Sequence, residues 1–501
     1  MRPLGRGPTL RGQGDKEEME TGKVLVINEP FVKDFCRTQR WAARTRGRVL
    51  RAPDWLAYTT SVLEKDGVDV ELYDFPARDW GKDELKRLAA EKRPSVVVLD
   101  STTPSIYSDI DCARIVKEAA PGVRIIMVGP HATSLHEETL KEAGGAVDAV
   151  ARGEYEYTVR DYVRASLNGG PLSGVEGLTY IDGGGVKVNP ARPLIENLDE
   201  LPFPAWGHLN LWDYFDGTKY YPYIDVIGGR GCPYRCVFCL WPQTMHGNRY
   251  RLRSPENIVE EMKWVLKTWP KAVKGEFFFE DDTFTVDRKR AHAFCDLLIK
   301  TGLKCTWSVN SRADFVDDDL MRHMKAAGCR LVLVGFESGS QAMLDNMKKN
   351  VTVGRMVEFI KSARKAGLKI HGCFVLGLPG ETRATMEETL RFALGNQLDT
   401  VQFSGAVPFP GTRYFDLMKE EGLLRAKSWD EWLADGEQSP VVDYPGLTKK
   451  EVEDMVNLGL KKFYLRPSYM VKFLLTTRSS QDLYRKLRGA KNFLGYLMGR
   501  G

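Results

Sequence analysis

The sequence has no run of about 18 uninterrupted apolar residues, which excludes an ordinary membrane-spanning helix and leaves a protein that works in water or on a surface. Residues 1–22 are rich in Gly, Arg and Glu and lack the apolar core of a signal peptide, so they read as a disordered lead-in. Neither charge sign is in large excess. Seventy-two basic residues face 67 acidic ones, for a net charge of +5, and that balance argues against nucleic acid as the main partner. Nine cysteines, an odd number in 501 residues, do not form the dense even set of a secreted disulfide scaffold. A reducing cytoplasm fits them better. Only one group of cysteines is closely spaced, and no second pair comes after it, so a closed four-ligand zinc site lacks its fourth cysteine. His246 is the nearest spare ligand.

At 501 residues the chain is too long for one ordinary domain. Its 43% hydrophobic and 28% charged content is that of a folded globular protein. From Lys23 short apolar runs alternate with helical patterns. Lys23 to Asn28, Val68 to Tyr73, Ser95 to Leu99, Arg124 to Val128 and Val147 to Val150 read as strands. Asp54 to Lys65, Asp83 to Lys92, Asp109 to Ala120 and Leu135 to Ala143 read as helices. Such alternation predicts a doubly wound parallel α/β sheet. Ligands of these sheets bind beyond the carboxyl ends of the strands. Here those ends include Ser101 and Thr102, Gly129 and His131, and Gly153 and Glu154, small and polar enough for backbone to approach a large ligand. A hairpin over Gly177 to Val188 and a Pro-rich stretch to Trp206 then join this sheet to the second half of the chain.

From about Tyr223 the alternation restarts and yields six strand–helix units, a partial (β/α)6 TIM-like barrel. Its first strand delivers the chain into Gly228-Gly-Arg-Gly231-Cys232-Pro-Tyr-Arg-Cys236-Val-Phe-Cys239. A [4Fe–4S] cube normally takes four thiolates. Three at C-x3-C-x2-C hold three irons and leave the fourth open to a small molecule. Later strand ends supply Glu280-Asp281-Asp282, Asn310-Ser311-Arg312, Glu337-Ser338-Gly339 and Gly377-Leu-Pro-Gly-Glu381. Each cluster alone reads equally as a helix-capping turn. Such clusters at successive strand ends, in register with a three-cysteine loop, point to an active site.

This pattern resembles the radical S-adenosylmethionine (SAM) enzymes, and the sheet that precedes it resembles the cobalamin-binding domain of their B12-dependent branch. The resemblance implies a [4Fe–4S] cluster on Cys232, Cys236 and Cys239 whose open iron chelates SAM. Reductive cleavage of SAM then gives a 5′-deoxyadenosyl radical. It further implies Phe238 against adenine, Asp281 or Asp282 at the SAM amino group, and Arg312 at its carboxylate. Glu337 and Ser338 would lie near the ribose, and Gly377 to Glu381 would line the adenine. A mutual salt bridge between Arg312 and Glu337 is the plainer alternative for those two. For the sheet it implies cobalamin against Ser101, Thr102, Gly129, His131, Gly153 and Glu154. The D-x-H-x-x-G signature that brings a histidine to cobalt in other B12 proteins is absent, and neither His131 nor His136 sits in such a pattern.

The runs Cys239-Leu-Trp-Pro-Gln-Thr244, Phe277-Phe-Phe-Glu-Asp-Asp-Thr-Phe284 and Val334-Gly-Phe-Glu-Ser-Gly339 are similar to the radical SAM proteins of hopanoid tailoring, in particular the cyclitol-ether synthase type. Gln39-Arg40-Trp41 and the arginine of Asn310-Ser-Arg312 depart from that group. The resemblance implies modification of an unactivated carbon on a hopanoid or other isoprenoid lipid, by rearrangement, ring formation or C–C bond formation. A cobalamin-dependent C-methyltransferase is the first rival, and a non-catalytic iron–sulfur regulator the second. An electron donor such as flavodoxin or ferredoxin is the expected partner.

Leu447 to Tyr464 reads as a helix capped by Thr448. Beyond it, Leu465 to Gly501 carries eight basic residues and one acidic residue, interleaved with apolar ones. A basic amphipathic segment either lies on an anionic membrane surface or packs as a helical tail on the barrel. The expected organisation is therefore residues 1–22 lead-in, 23–165 cobalamin-binding-like sheet, 166–222 hairpin and linker, 223–425 barrel and 426–501 helical basic tail.

Overall fold

In the computed structural model, the described residues are 22–38, 42–271, 275–315, 317–434, 437–477 and 480–497. Most of the expected lead-in and Gln39-Arg40-Trp41 lie outside them. The chain forms two compact units. One comprises the described residues through Thr45, Leu50–Tyr214 and Gln243–His246. The other comprises Arg46–Val49, Phe215–Pro242 and the described residues from Gly247 on.

In the first unit, β1 (Lys23–Asn28), β2 (Asp69–Asp74), β3 (Val96–Leu99), β4 (Arg124–Met127) and β5 (Ala149–Ala151) are parallel, in the order β2-β1-β3-β4-β5. Val24 to Ile27 and Val96 to Leu99 are almost wholly buried, as expected of strands covered by helices on both faces. The order reverses between β1 and β3, and open sheets of this type leave a crevice at that point. The sheet is not purely parallel. The hairpin expected in the linker joins it as β6 (Leu178–Asp182) and β7 (Gly185–Val188), with β6 antiparallel to β5. Three-residue β5 would otherwise leave an open edge, and β6 pairs along it. Gly183 and Gly184, both at positive φ, make the tight turn.

In the second unit, β8 (Tyr223–Val226) leads to a short antiparallel pair, β9 (Gly229–Arg230) with β10 (Arg251–Leu252). Next come β11 (Glu276–Phe279), β12 (Trp307–Ser311), β13 (Cys329–Glu337), β14 (Lys369–Leu376) and β15 (Thr400–Gly405). The six long strands are parallel and adjacent in chain order, the open (β/α)6 arrangement the sequence predicts. Phe279, Phe284, Phe294 and Trp307 pack edge-on between strands and helices. Charge closes the amino ends of the strands. Arg330 bonds Glu276 through two nitrogens at 2.7–2.9 Å, and the Lys219 ammonium lies 3.8 Å from the centre of the Phe278 ring.

Thr448 caps the helix Lys449–Tyr464, whose Gly459 allows close approach to Phe403 of β15. The helix Ser480–Leu497 packs on the barrel. Its Arg485 pairs with Asp482 and reaches the Gly217 carbonyl, and the Phe493 ring packs at a tilt with its centre 5.2 Å from that of Tyr464. One face of the tail is thus a helical tail on the barrel. Met470, Val471, Leu475, Leu483, Leu487 and Leu494 stay exposed, Leu475 by 80%.

Candidate active site

The cysteine loop is shaped by three glycines. Gly231 has φ +89°, and a Cβ there would stand 2.2 Å from the Arg249 carbonyl oxygen. A Cβ at Gly229 would stand 2.8 Å from the Tyr250 ring, and one at Gly228 would crowd Arg290 Nη2 at 3.0 Å and the Asp281 carboxylate at 3.2 Å. The loop is then tied down. Cys232 N donates to the Gly247 carbonyl, Cys239 N to the Cys236 carbonyl, and Asn248 Nδ2 to the carbonyls of Cys232 and Tyr234. Val237 N donates to the Met347 carbonyl, and the Cys236 thiol lies 4.0 Å from the Lys348 carbonyl. Burial, and then the nearby Asp282 carboxylate, push the Cys232 thiol up to about 11.

Among the described residues no three Cys, His, Asp or Glu side chains converge on one point. His246 clusters with the first unit, where its buried ring stacks 4.6 Å from Trp55.

The structure separates the two acidic residues that the sequence left equivalent. Asp281 is fully enclosed, accepting from Gly228 N at 2.6 Å, Tyr250 OH at 2.7 Å and Arg290 Nη2 at 3.2 Å. Burial raises its carboxyl despite Arg290. It braces the approach to the loop. Asp282 is the one whose field reaches Cys232.

Arg312 does not pair with Glu337. Its Nε donates to Asp314 Oδ1 at 2.9 Å, Nη2 to the Lys349 carbonyl, and Nη1 lies 3.9 Å from Cys236 Sγ. The guanidinium carbon is 3.4 Å from the centre of the Tyr234 ring. Glu337 instead bonds Lys349 Nζ at 2.8 Å, with both side chains buried. Ser338, fully buried, bonds Thr389 and Ser340 N and so holds the exit of β13 to the helix Arg383–Gly395. Glu381 accepts from Gly377 N at 3.2 Å and from the Thr385 hydroxyl, and burial lifts its carboxyl to about 7. Gly377 sits at φ +86°, and Phe238 is buried beside Cys239. Lys349, which the sequence reading missed, lies in an unpatterned turn twelve residues past Glu337. Only the fold brings them together.

In the first unit the named strand ends lie on neighbouring strands. Ser101 Oγ donates to the Val128 carbonyl at 2.6 Å and accepts from Ala132 N, while Thr102 bonds Ser105. Gly129 has φ +101°, and a Cβ there would meet the Ser101 carbonyl oxygen at 2.4 Å. His131 is buried 3.1 Å from Thr103 Oγ1, and desolvation lowers its pKa to about 3, so it is neutral. Gly153 N donates to Thr133 Oγ1, and Glu154 accepts from Ile195 N. The sequence reading also missed a buried cluster at the ends of β1, β2 and β3. Arg37 bonds Asn28 Oδ1 at 3.0 Å and Asp109 Oδ1 at 2.7 Å, with Glu29, Asp74 and Asp100 nearby. Burial raises Asp74 to about 6, Asp100 to about 7 and Glu29 well above its usual range.

This geometry defines a class: an open six-stranded barrel with a three-thiol loop at its strand ends, joined in one chain to a doubly wound sheet. Residues 226–393 match the model of the radical SAM superfamily, and residues 52–163 match that of the B12 binding domain. The chain belongs to the radical SAM superfamily, among its members with a B12-binding domain, and its cofactors are a [4Fe–4S] cluster, SAM and cobalamin.

It is 34% identical to an uncharacterized methyltransferase of Pyrococcus horikoshii over 91% of this chain and 95% of that one. It is 29% identical to an anaerobic magnesium-protoporphyrin IX monomethyl ester cyclase of Cereibacter sphaeroides, over 83% and 67%. To the hopanoid C-3 methylase of Methylococcus capsulatus it is 25% identical, over 76% and 71%. The fold matches that of OxsB, a cobalamin-dependent SAM radical enzyme, with a TM-score of 0.69 and 16% identity over 96% of this chain and 73% of that one.

Proposed function

We propose that the protein is a cobalamin-dependent radical SAM C-methyltransferase acting on an unactivated carbon. The observation that carries this is the end-to-end likeness to a protein named as a methyltransferase, with the cysteine loop and the sheet both inside the matched region. It replaces rearrangement or ring formation as the leading outcome. The three cofactors together supply reductive cleavage of the SAM sulfonium and delivery of a methyl group to carbon.

The chain's own residues do the rest. Cys232, Cys236 and Cys239 hold the cluster, and Gly228 to Gly231 set their backbone. Asp282 would face the SAM amino group, while Asp281 fixes the loop. Phe238 and the Gly377 loop would flank adenine. Ser101, Thr102, Gly129 and Gly153 let the sheet backbone approach the corrin, and neutral His131 takes part through its hydrogen bond to Thr103 rather than as a histidine ligand.

A hopanoid or other isoprenoid lipid is the substrate class we favour, supported by the likeness to the hopanoid methylase. The exposed apolar residues of the basic tail support presentation at a membrane surface. A small flavodoxin or ferredoxin supplies the electron. No helix among the described residues is long and apolar enough to cross a membrane.

The test feeds cells making the protein with [methyl-CD3]methionine and compares their lipids with those of cells making Cys236→Ala. A lipid three mass units heavier per added methyl, present only with the intact protein, supports the proposal. A Cys236-dependent product lacking the label would overturn methyl transfer. If that product had gained a ring, it would favour the reading suggested by the cyclase relative.

A further inference from the structure

Three of the seven described non-glycine residues at positive φ meet at one place in the barrel: Glu337 at +64°, Lys348 at +56° and Asn350 at +54°. Side chains rarely adopt this region, and clusters of such residues point to a functional constraint. The turn through Lys348 and Asn350 does two things. Its backbone backs onto the cysteine loop, where the Met347 carbonyl takes Val237 N, the Lys348 carbonyl faces the Cys236 thiol, and the Lys349 carbonyl takes Arg312. It also sends the Lys349 side chain to Glu337.

The room that the pair occupies is the missing side chain of Gly335. A Cβ built there would lie 2.3 Å from Glu337 Oε1 and 3.1 Å from Lys349 Nζ. Phe336 packs outward against Phe359 and Phe392 of the helices. Alternation along the strand therefore turns Gly335, and the pair above it, into the barrel.

Arg312, by contrast, is occupied. Asp314 takes two of its nitrogens, and the Lys349 carbonyl and Cys236 sulfur take its remaining contacts. An ammonium has three donors, and Glu337 takes one from Lys349. We infer that Lys349 supplies the cation for the SAM carboxylate, that Glu337 is its counter-ion until SAM arrives, and that Arg312 is a positioning residue which fixes the Lys349 turn against the cysteine loop. This deepens the radical SAM reading and rests on it.

The test measures equilibrium binding of SAM and of decarboxylated SAM to anaerobic, cluster-loaded wild type, Lys349→Met and Lys349→Arg. Iron content is read in parallel. The expected result is a preference for SAM over its decarboxylated form that shrinks about tenfold in K349M, recovers in part in K349R, and leaves iron content unchanged. A wild-type preference retained in K349M overturns the inference and returns the carboxylate to Arg312. Loss of iron in both variants also overturns it, because the lysine would then serve the loop alone. Wild type that holds no iron and binds no SAM would instead bring down the radical SAM reading itself.

Discussion

The two units treat buried charge in opposite ways at their strand ends. In the sheet, four carboxyls (Glu29, Asp74, Asp100 and Asp109) gather around one guanidinium, Arg37, and burial raises all four. One cation does not balance four anions out of water, so burial shifts these carboxyls toward their protonated forms. In the barrel four carboxylates each have a cation of their own: Asp281 with Arg290, Asp314 with Arg312, Glu337 with Lys349 and Glu276 with Arg330. Glu381 is the exception, held by Gly377 N and the Thr385 hydroxyl. A carboxyl that keeps its proton can donate a hydrogen bond as well as accept one. Paired charges suit a zwitterion, which can replace one partner of a pair by its own opposite charge.

The sharpest break in this comparison comes from removing one half of a barrel pair. Arg330→Met strands Glu276 as a buried anion, and denaturant melts should show a loss of about 3–5 kcal/mol. The backbone offers the next contrast. Gly231→Ala and Gly129→Ala each force a side chain into a left-handed position against a carbonyl, at about 1–3 kcal/mol. Gly231→Ala should lower iron content and leave cobalamin bound, and Gly129→Ala should do the reverse, as read by metal analysis of the purified proteins. Within the barrel, Asp282→Asn should weaken SAM binding about tenfold with iron retained. Asp281→Asn should disturb the cluster signal before it disturbs SAM affinity.

The buried carboxyls of the sheet give the comparison a pH dependence. Asp100 titrates near 7 when folded and near its ordinary 3.8 when unfolded, so the native state binds the extra proton between those values. Stability conferred by that proton is present at low pH and lost as pH rises toward 7. Relative to Asp100→Asn, wild type should therefore lose up to about 1.4 kcal/mol per pH unit across this window and level off above it. Parallel melts at pH 5, 6, 7 and 8 that show no divergence would mean that the carboxyl is ionised throughout.

What was legible in the sequence was what is contiguous. The cysteine loop and its glycines stand in one stretch, and each glycine's reason is local. The strand–helix alternation also declares both sheets, because buried parallel strands read as apolar runs. The hairpin was legible as a hairpin but not as a sheet edge, since its pairing with β5 depends on how short β5 is. Arg312 read as an available cation although Asp314 stands two residues away, close enough to claim it. Asp281 and Asp282 could not be told apart until Tyr250 and Arg290 were seen to enclose one of them. Lys349 and Arg37 carry no motif. Each acquires its partner through a loop closure that only the folded chain makes.

The central claim is that one chain holds both a cluster and a corrinoid in service of methyl transfer. Iron, sulfide and cobalt analysis of the anaerobically purified protein tests it most directly. The account predicts iron and cobalt together at a ratio of about 4:1, with the iron lost in Cys232→Ala and the cobalt kept. Iron without cobalt, in protein purified from cells supplied with cobalamin, would contradict it.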